Sequence, residues 1–324
     1  MTGIFESILN WIYSLIGNYG LSVIFFTLLV RLLLLPLDIK SRKSMRAMTK
    51  VQPKLQALQK KYANDRDKLN QKTMELYKKE KVSPAAGCLP MILQRVVLFI
   101  MFAAMRNIAA EKTGEMLYGL MNRLAESGTW EGIGRIPTES FLWIKNIFQP
   151  DSFGAPVLPT FSEAVSYIKS AGFSLPDLEN LETLYNAYRG NVYGTGQFYT
   201  MRILFFNLTY PNSFDSLINY ANGLFILPIF AAVSQLIMTK VTSAQQKSAS
   251  GEVQQQANAM NSGFMKWFFP LFSLYICAGY NAAFAVYWAA ANIIAIVQQI
   301  VLNLYFDHKD KLAAEAEQSV SDDI

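Results

Sequence analysis

Apolar residues collect along the chain in long runs, separated by two polar stretches of opposite charge. Residues 20–37 (GLSVIFFTLLVRLLLLPL) form one run, interrupted by Arg31, and residues 88–105 (CLPMILQRVVLFIMFAAM) form another, carrying Gln94 and Arg95 near its start. A third fills 217–239 (LINYANGLFILPIFAAVSQLIMT). The stretch 264–306 is too long for one crossing, and GYNAA at 279–283 breaks it into 264–281 and 284–306. About 20 mostly apolar residues cross a hydrocarbon core as a helix. The pattern therefore predicts an all-α polytopic membrane protein with five spans, at 19–37, 88–108, 217–239, 264–281 and 284–306.

The segments between the runs have patterns of their own. At 1–18, Phe5, Ile8, Leu9, Ile12, Leu15 and Ile16 recur at helical spacing beside Trp11 and Tyr13, which predicts an amphipathic helix lying in the membrane interface. Neither a basic leader with a cleavage site nor a lipid-anchor cysteine is indicated there. In 38–83, Val51, Leu55, Leu58 and Tyr62 form one stripe, and Leu69, Thr73, Leu76 and Tyr77 form a second after Asn64-Asp65. Two amphipathic helices joined by a short turn are expected. Segment 109–216 reads as a loop with a small inserted subdomain, holding helices near 161–171 and 177–189. Residues 240–263 form a polar loop. The tail 307–324 carries six acids against two basic residues and is expected to lose structure after a short helical extension.

Charge orients these elements. Segment 38–82 holds fourteen Lys and Arg against five acids, whereas 109–216 holds seven against eleven. Basic loops stay in the cytoplasm, so the first segment is inside and the second outside. The N-terminus is then outside and the C-terminus inside. Composition agrees: of 324 residues 52% are hydrophobic and only 16% charged, where soluble domains carry about 25% charged. Disorder, collagen and disulfide-stapled scaffolds are excluded.

Chemistry is sparse. The cysteines, Cys88 and Cys277, sit in apolar runs with no shared metal spacing, and the single histidine, His308, lies in the polar tail. Walker, HExxH and GxSxG motifs are absent, as are paired intramembrane carboxylates. No cofactor and no enzymatic step is indicated. What stands out is Arg31, because a charge inside a span costs at least ~2.5–3.5 kcal/mol and faces a cavity or a partner. No acid lies within the apolar runs, so Arg31 must find water, backbone carbonyls or an acidic visitor. With Arg95, Gln94, Ser22, Thr27, Ser234 and Gln235 it would line a polar groove open to the cytoplasm; Arg95 could instead snorkel along the surface.

This layout closely resembles the YidC membrane insertases, the bacterial branch of a superfamily with mitochondrial and chloroplast members. The matching stretches are VRLLLLPLDIKSRKSMRAM at 30–48, SPAAGCLPMILQ at 83–94, FLWIKNIFQPD at 141–151, LPIFAAVSQLIMTK at 227–240 and FFPLFSLYICAGYNAAFAVYWAAANIIAIVQQIVLN at 268–303. The resemblance implies an energy-independent insertase and folding chaperone of the bacterial plasma membrane. Its partners would be nascent membrane proteins, the lipid bilayer, the Sec translocon and the ribosome or its targeting machinery, with no recognition of nucleic-acid sequence. It also implies that Arg31 sits in a hydrophilic groove, that Gln94 and Trp143 face it, and that Tyr287 and Trp288 lie near the substrate path. Arg95, Lys145-Asn146, residues 280–283, the insertion at about 152–216 and the acidic tail depart from the family pattern. A small-solute or ion transporter is the competing reading, but such proteins show internal repeats and coupling acids that this chain lacks. An assembly scaffold, the third reading, would have no need of Arg31.

Overall fold

The computed structural model describes residues 2–322 apart from 81, 83, 177–178, 195–197, 204–205, 215 and 250–262. Nine α-helices dominate it: α1 (Thr2–Ile16), α2 (Tyr19–Lys61), α3 (Arg66–Lys79), α4 (Pro84–Ser127), α5 (Phe161–Ser170), α6 (Leu181–Tyr193), α7 (Ile226–Ala249), α8 (Gly263–Gly279) and α9 (Ala282–Asp322). Among the described residues, two helices are long and apolar enough to cross a membrane, Tyr19–Lys61 and Ala282–Leu312; Ile226–Thr242 is apolar but shorter. In the expected second and fourth spans, the side chains at 88–92, 94–95 and 264–265 lie outside the described residues.

The helical expectation holds, with one correction to the all-α class. Strands β1 (Phe198–Ile203) and β2 (Phe206–Pro211) pair antiparallel, Phe198 opposite Pro211 and Ile203 opposite Phe206. Their aromatic and β-branched residues suit a pleated pair, and two residues link them. The tail differs as well, for α9 continues to Asp322 where loss of structure was expected. Its last turns are rich in Ala, Glu, Lys and Gln, all favourable in helices.

Two other helices overrun the apolar runs that predicted them. After its apolar part, α2 continues through the basic segment to Lys61 as one 43-residue helix. Asp65 then caps α3, its side chain accepting from the Lys68 amide at 3.1 Å. The 44 residues of α4 run about 66 Å, ending where Gly128 takes a left-handed φ of 66° and bonds back to the Leu124 carbonyl.

Two compact units divide the chain. The first comprises Met1–Thr27, Val97–Val233 and Leu271–Ala289, the second Leu28–Val96, Ser234–Pro270 and Ala290–Ile324. The first owns a closed core. Leu117, Leu120, Met121 and Leu124 of α4 pack with Ala164 and Ile168 of α5 and with Leu181, Tyr185 and Tyr188 of α6. Buried tyrosines tie irregular chain to that core: the Tyr185 hydroxyl donates to the Pro159 carbonyl and that of Tyr188 to the Gly134 carbonyl, each at 2.9 Å. Burial pushes both phenols above their ordinary pKa. A capping box of Thr160 and Glu163 starts α5. In the same unit Tyr13 stacks on Tyr19 at 3.9 Å, and Tyr19 donates to Asn10 at 2.9 Å, fastening α1 to the start of α2. Glycine is required at Gly20, where a Cβ would lie 2.1 Å from the Phe141 ring.

Candidate functional site

In the second unit, α2 and α9 run side by side and parallel, joined by a ladder of polar contacts. Arg31 donates to the Ala291 carbonyl at 3.1 Å. Further along, Gln298 donates to the Asp38 carboxylate at 2.7 Å, and Arg42 donates to the Asn303 side-chain oxygen at 2.7 Å. Arg46 then reaches Asp307 and Asp310, each at 2.5 Å, and lies 5.2 Å from the centre of the Phe306 ring. Positions 31, 38, 42 and 46 fall within a narrow arc of α2 because seven- and four-residue steps return near the same face at 100° per residue. Of these contacts the sequence pointed only to Arg31. Burial lowers the pKa of Arg42 while the Asp38 charge opposes that shift, and a guanidinium remains cationic throughout.

An amide of Asn292 also donates to the Ser234 hydroxyl at 3.0 Å, so Ser234 of the expected groove lining contacts α9. Ser22 and Thr27 behave differently. Both are buried in the first unit, and their hydroxyls return to carbonyls of their own helix, Asn18 and Val23, at 2.7 Å.

Trp143, Tyr287 and Trp288 all belong to the first unit. Trp143 donates its indole N–H to the Asp151 carboxylate at 3.2 Å. Asp151 has no exposed surface and also accepts from the amides of Leu224 (2.8 Å), Phe225 (3.1 Å) and Leu227 (2.7 Å), the last within the first turn of α7. A carboxylate at a helix start meets both orphan amides and the positive end of the dipole. The approach is so close that a Cβ at Gly223 would sit 1.9 Å from its oxygen. Phe225 takes a left-handed φ of 60°, a conformation rare for large side chains, and Leu142 beside Trp143 takes 53° with its side chain 71% exposed.

Asn222 completes this node. Its amide donates to the carbonyls of Asn146, Gln149 and Pro150 and accepts from the Asn146 backbone N–H, all between 2.8 and 3.2 Å. Lys145 gives its ammonium to the carbonyls of Leu217, Ile218 and Ala221. Burial and the nearby Arg135 lower its pKa, while the three carbonyls favour the charged form. The Lys145 ammonium thus closes carbonyls of the π-helical turn Ser216–Tyr220 and its flank, while the Asn146 side chain donates to the Val157 carbonyl at 3.1 Å. Nothing in the local sequence marked the roles of Asp151 or Asn222, most of whose partners lie more than 70 residues away.

On α9, Tyr287 is buried and lies 6.1 Å from the Phe284 ring, with Trp288 5.6 Å from the same ring. Phe284 packs in turn against Phe102 and Tyr280, and the Tyr280 hydroxyl donates to the Phe102 carbonyl at 3.2 Å. The indole N–H of Trp288 is buried and has no acceptor among the described residues. Gln94 and Arg95 lie on α4, but their side chains are outside the described residues, as is that of Cys88. Cys277 is free and buried. Among the described residues no group of three or more His, Cys, Asp or Glu side chains converges as a metal site would.

The sequence profile of the 60Kd inner membrane protein matches residues 11–309. The chain belongs to that family. Among its relatives, a protein of Fusobacterium nucleatum is 39% identical over 163 residues, covering 50% of this chain and 65% of its own. One of Caldanaerobacter subterraneus subsp. tengcongensis is 33% identical over 164 residues, 51% of this chain and 66% of its own. One of Chlorobaculum parvum is 25% identical over 314 residues, 97% of this chain and 38% of its own. All three carry the name membrane protein insertase YidC. The chain thus spans about two thirds of the first two relatives and less of the third. These matches bear out the resemblance seen in the sequence.

Proposed function

We propose that this protein is an energy-independent membrane protein insertase and folding chaperone, working through a positively charged hydrophilic groove open to cytoplasm and lipid. It acts alone or with the Sec translocon on nascent membrane proteins delivered by the ribosome or its targeting machinery. Five spans are contributed by α2, α4, α7, α8 and α9, in a bacterial plasma membrane with the N-terminus outside and the C-terminus inside. The end of α2 and α3 form the cytoplasmic hairpin, and α1 lies in the outer interface. Arg31 is the central groove residue, with Gln94, Arg95, Trp143, Tyr287 and Trp288 bordering the client's path. No covalent step is involved.

Support comes from the family, from the relatives' printed names and from the division of the same five helices between both units. Wide apolar exposure agrees: Leu32 and Leu33 on α2, Phe230 and Val233 on α7, Leu271 and Tyr275 on α8, and Val297 and Leu304 on α9. Soluble monomers do not show apolar surface on this scale. The observation that carries the reading is Arg31, a permanent charge in an apolar helix. It lowers the cost of bringing a polar, often acidic, tail into the inner leaflet. The client's own apolar segment then drives insertion by entering lipid.

Purified protein reconstituted into liposomes with a short single-span substrate tests this directly. Insertion well above that of empty liposomes, with no nucleotide or ion gradient, is expected. Insertion equal to the empty control overturns the reading.

A further inference from the structure

The first unit contains a cleft of about 390 Å³ between α4 and residues 136–148, a size typical of ligand sites. Lining positions on α4 begin at Lys112 and end at Arg123, recurring every three or four residues. They therefore form a single face about 16 Å long. Met116, Leu120, Pro137 and Phe148 supply apolar lining, while Lys112, Glu115, Glu139 and Arg123 supply charge.

Gly119, in the middle of this face, is the informative residue. Glycine inside a helix costs about 1 kcal/mol relative to alanine, and packing often explains it. Gly114 on the same helix has that excuse, since a Cβ there would lie 2.5 Å from the Tyr167 carbonyl. At Gly119 a Cβ would meet nothing within 4 Å. The fold does not need glycine at 119, and its effect is to keep the cleft wall open.

The charges are not equivalent. Lys112 is answered by Glu115 at 3.0 Å, and Glu139 accepts from the Tyr13 hydroxyl at 2.5 Å. Arg123 is exposed and makes no ion pair among the described residues. Arg123 is therefore the one charged lining side chain with neither an ion pair nor a hydrogen bond among the described residues, and it stands at the end of an apolar trough. We propose that this trough binds an extended peptide segment bearing an acidic side chain, the translocated tail of a client. This rests on the insertase reading above. At about 3.3 Å per residue the trough accommodates roughly five residues of extended chain, and Met116 gives a surface tolerant of varied side chains. An acyl chain would leave the charged ends unanswered.

The test uses full-length protein in nanodiscs and a fluorescent extended peptide carrying Asp side chains, with a Lys-bearing counterpart, read by anisotropy. The acidic peptide should bind and the basic one should bind about tenfold more weakly or worse. Gly119→Leu should weaken acidic-peptide binding at least about tenfold while leaving thermal stability unchanged or raised, because it fills the trough and improves the helix. Arg123→Glu should reverse the charge preference. Wild-type-like binding by Gly119→Leu overturns the proposal, as does a preference unmoved by Arg123→Glu. Absence of peptide binding, with Arg123 instead controlling retention of anionic lipid, assigns the site to lipid and also overturns it. A protein that inserts substrate into liposomes but binds no peptide loses the cleft and keeps the insertase reading. One that binds the peptide through Gly119 and Arg123 but inserts nothing keeps the peptide site and loses the insertase reading.

Discussion

Buried apolar side chains are unevenly shared between the two units. The first holds most of them, from Leu9 in α1 to Ala289 in α9, whereas the described residues of the second contribute only Val51, Pro270, Ala295 and Leu302. Polar groups follow the opposite logic. In the first unit Asp151, Asn146 and Asn222 are buried and richly hydrogen-bonded, so irregular chain is held as firmly as helix. In the second, polar contacts form a ladder of half-exposed rungs between α2 and α9. A unit fixed by a closed core and saturated polar nodes is stiff. One joined by rungs leaves its apolar faces to whatever surrounds it, and it can yield at modest cost. On the insertase reading proposed above, the yielding unit is the one that would admit clients, and the other keeps its form.

The contrast breaks most visibly at Asp151. Asp151→Ala leaves four donors without an acceptor, that of Leu227 buried and those of Trp143, Leu224 and Phe225 part-buried, and a fully buried one costs roughly 1–3 kcal/mol. A loss of about 3–5 kcal/mol is expected after partial rehydration, read as a large drop in Tm of the protein in nanodiscs. Gly223→Ala should act in the same direction, because its methyl group would displace the Asp151 carboxylate. An unchanged Tm for both would show that the node is not what stiffens the first unit.

Rungs of the second unit should behave as exposed pairs do. Arg46→Ala removes both ion pairs to α9, and its cost should stay below about 1 kcal/mol and shrink with added salt. Hydrogen exchange in α9 beyond Asp307 should nevertheless accelerate, since that stretch loses its link to α2. Unaltered exchange there would mean the ladder does not fasten the end of α9.

A smaller effect should appear at α1. The hydrogen bond to Glu139, then burial, raises the Tyr13 pKa to about 12. A phenol whose folded pKa lies above its unfolded value of 10.0 contributes stability that is complete below pH 10 and is lost as pH rises toward 12. Ultraviolet titration should therefore show one tyrosine fewer ionising near pH 12 in Tyr13→Phe, and the variant's Tm should fall less steeply between pH 10 and 12. An identical titration would remove the bond from the account.

Legibility followed the range over which each feature is determined. Apolar runs betrayed α2 and α9 because burial in lipid demands continuous apolar chain. Helix ends were hidden. In α4, Leu117, Leu120, Met121 and Leu124 continue at core-facing spacing, but nothing apolar enough for a span remains, so the stretch read as loop. The strands at 198–211 were too short and too isolated to weigh against helix. Arg31 was legible as an anomaly, yet its acceptor was not, because the Ala291 carbonyl is backbone and leaves no residue-specific trace. Asp151 looked like an ordinary loop acid, since three of its four donors arrive from residues 224–227.

The central claim, that a fixed charge at Arg31 lowers the barrier for polar tails, is tested by insertion into liposomes of paired single-span substrates differing only in tail charge. Arg31→Ala should cut insertion of the acidic-tailed substrate about tenfold or more, equivalent to ~1.4 kcal/mol, and affect the neutral-tailed one much less. Arg31→Lys should keep part of the activity, because it keeps the charge while losing the guanidinium geometry. Equal loss for both tails in Arg31→Ala would contradict the electrostatic account.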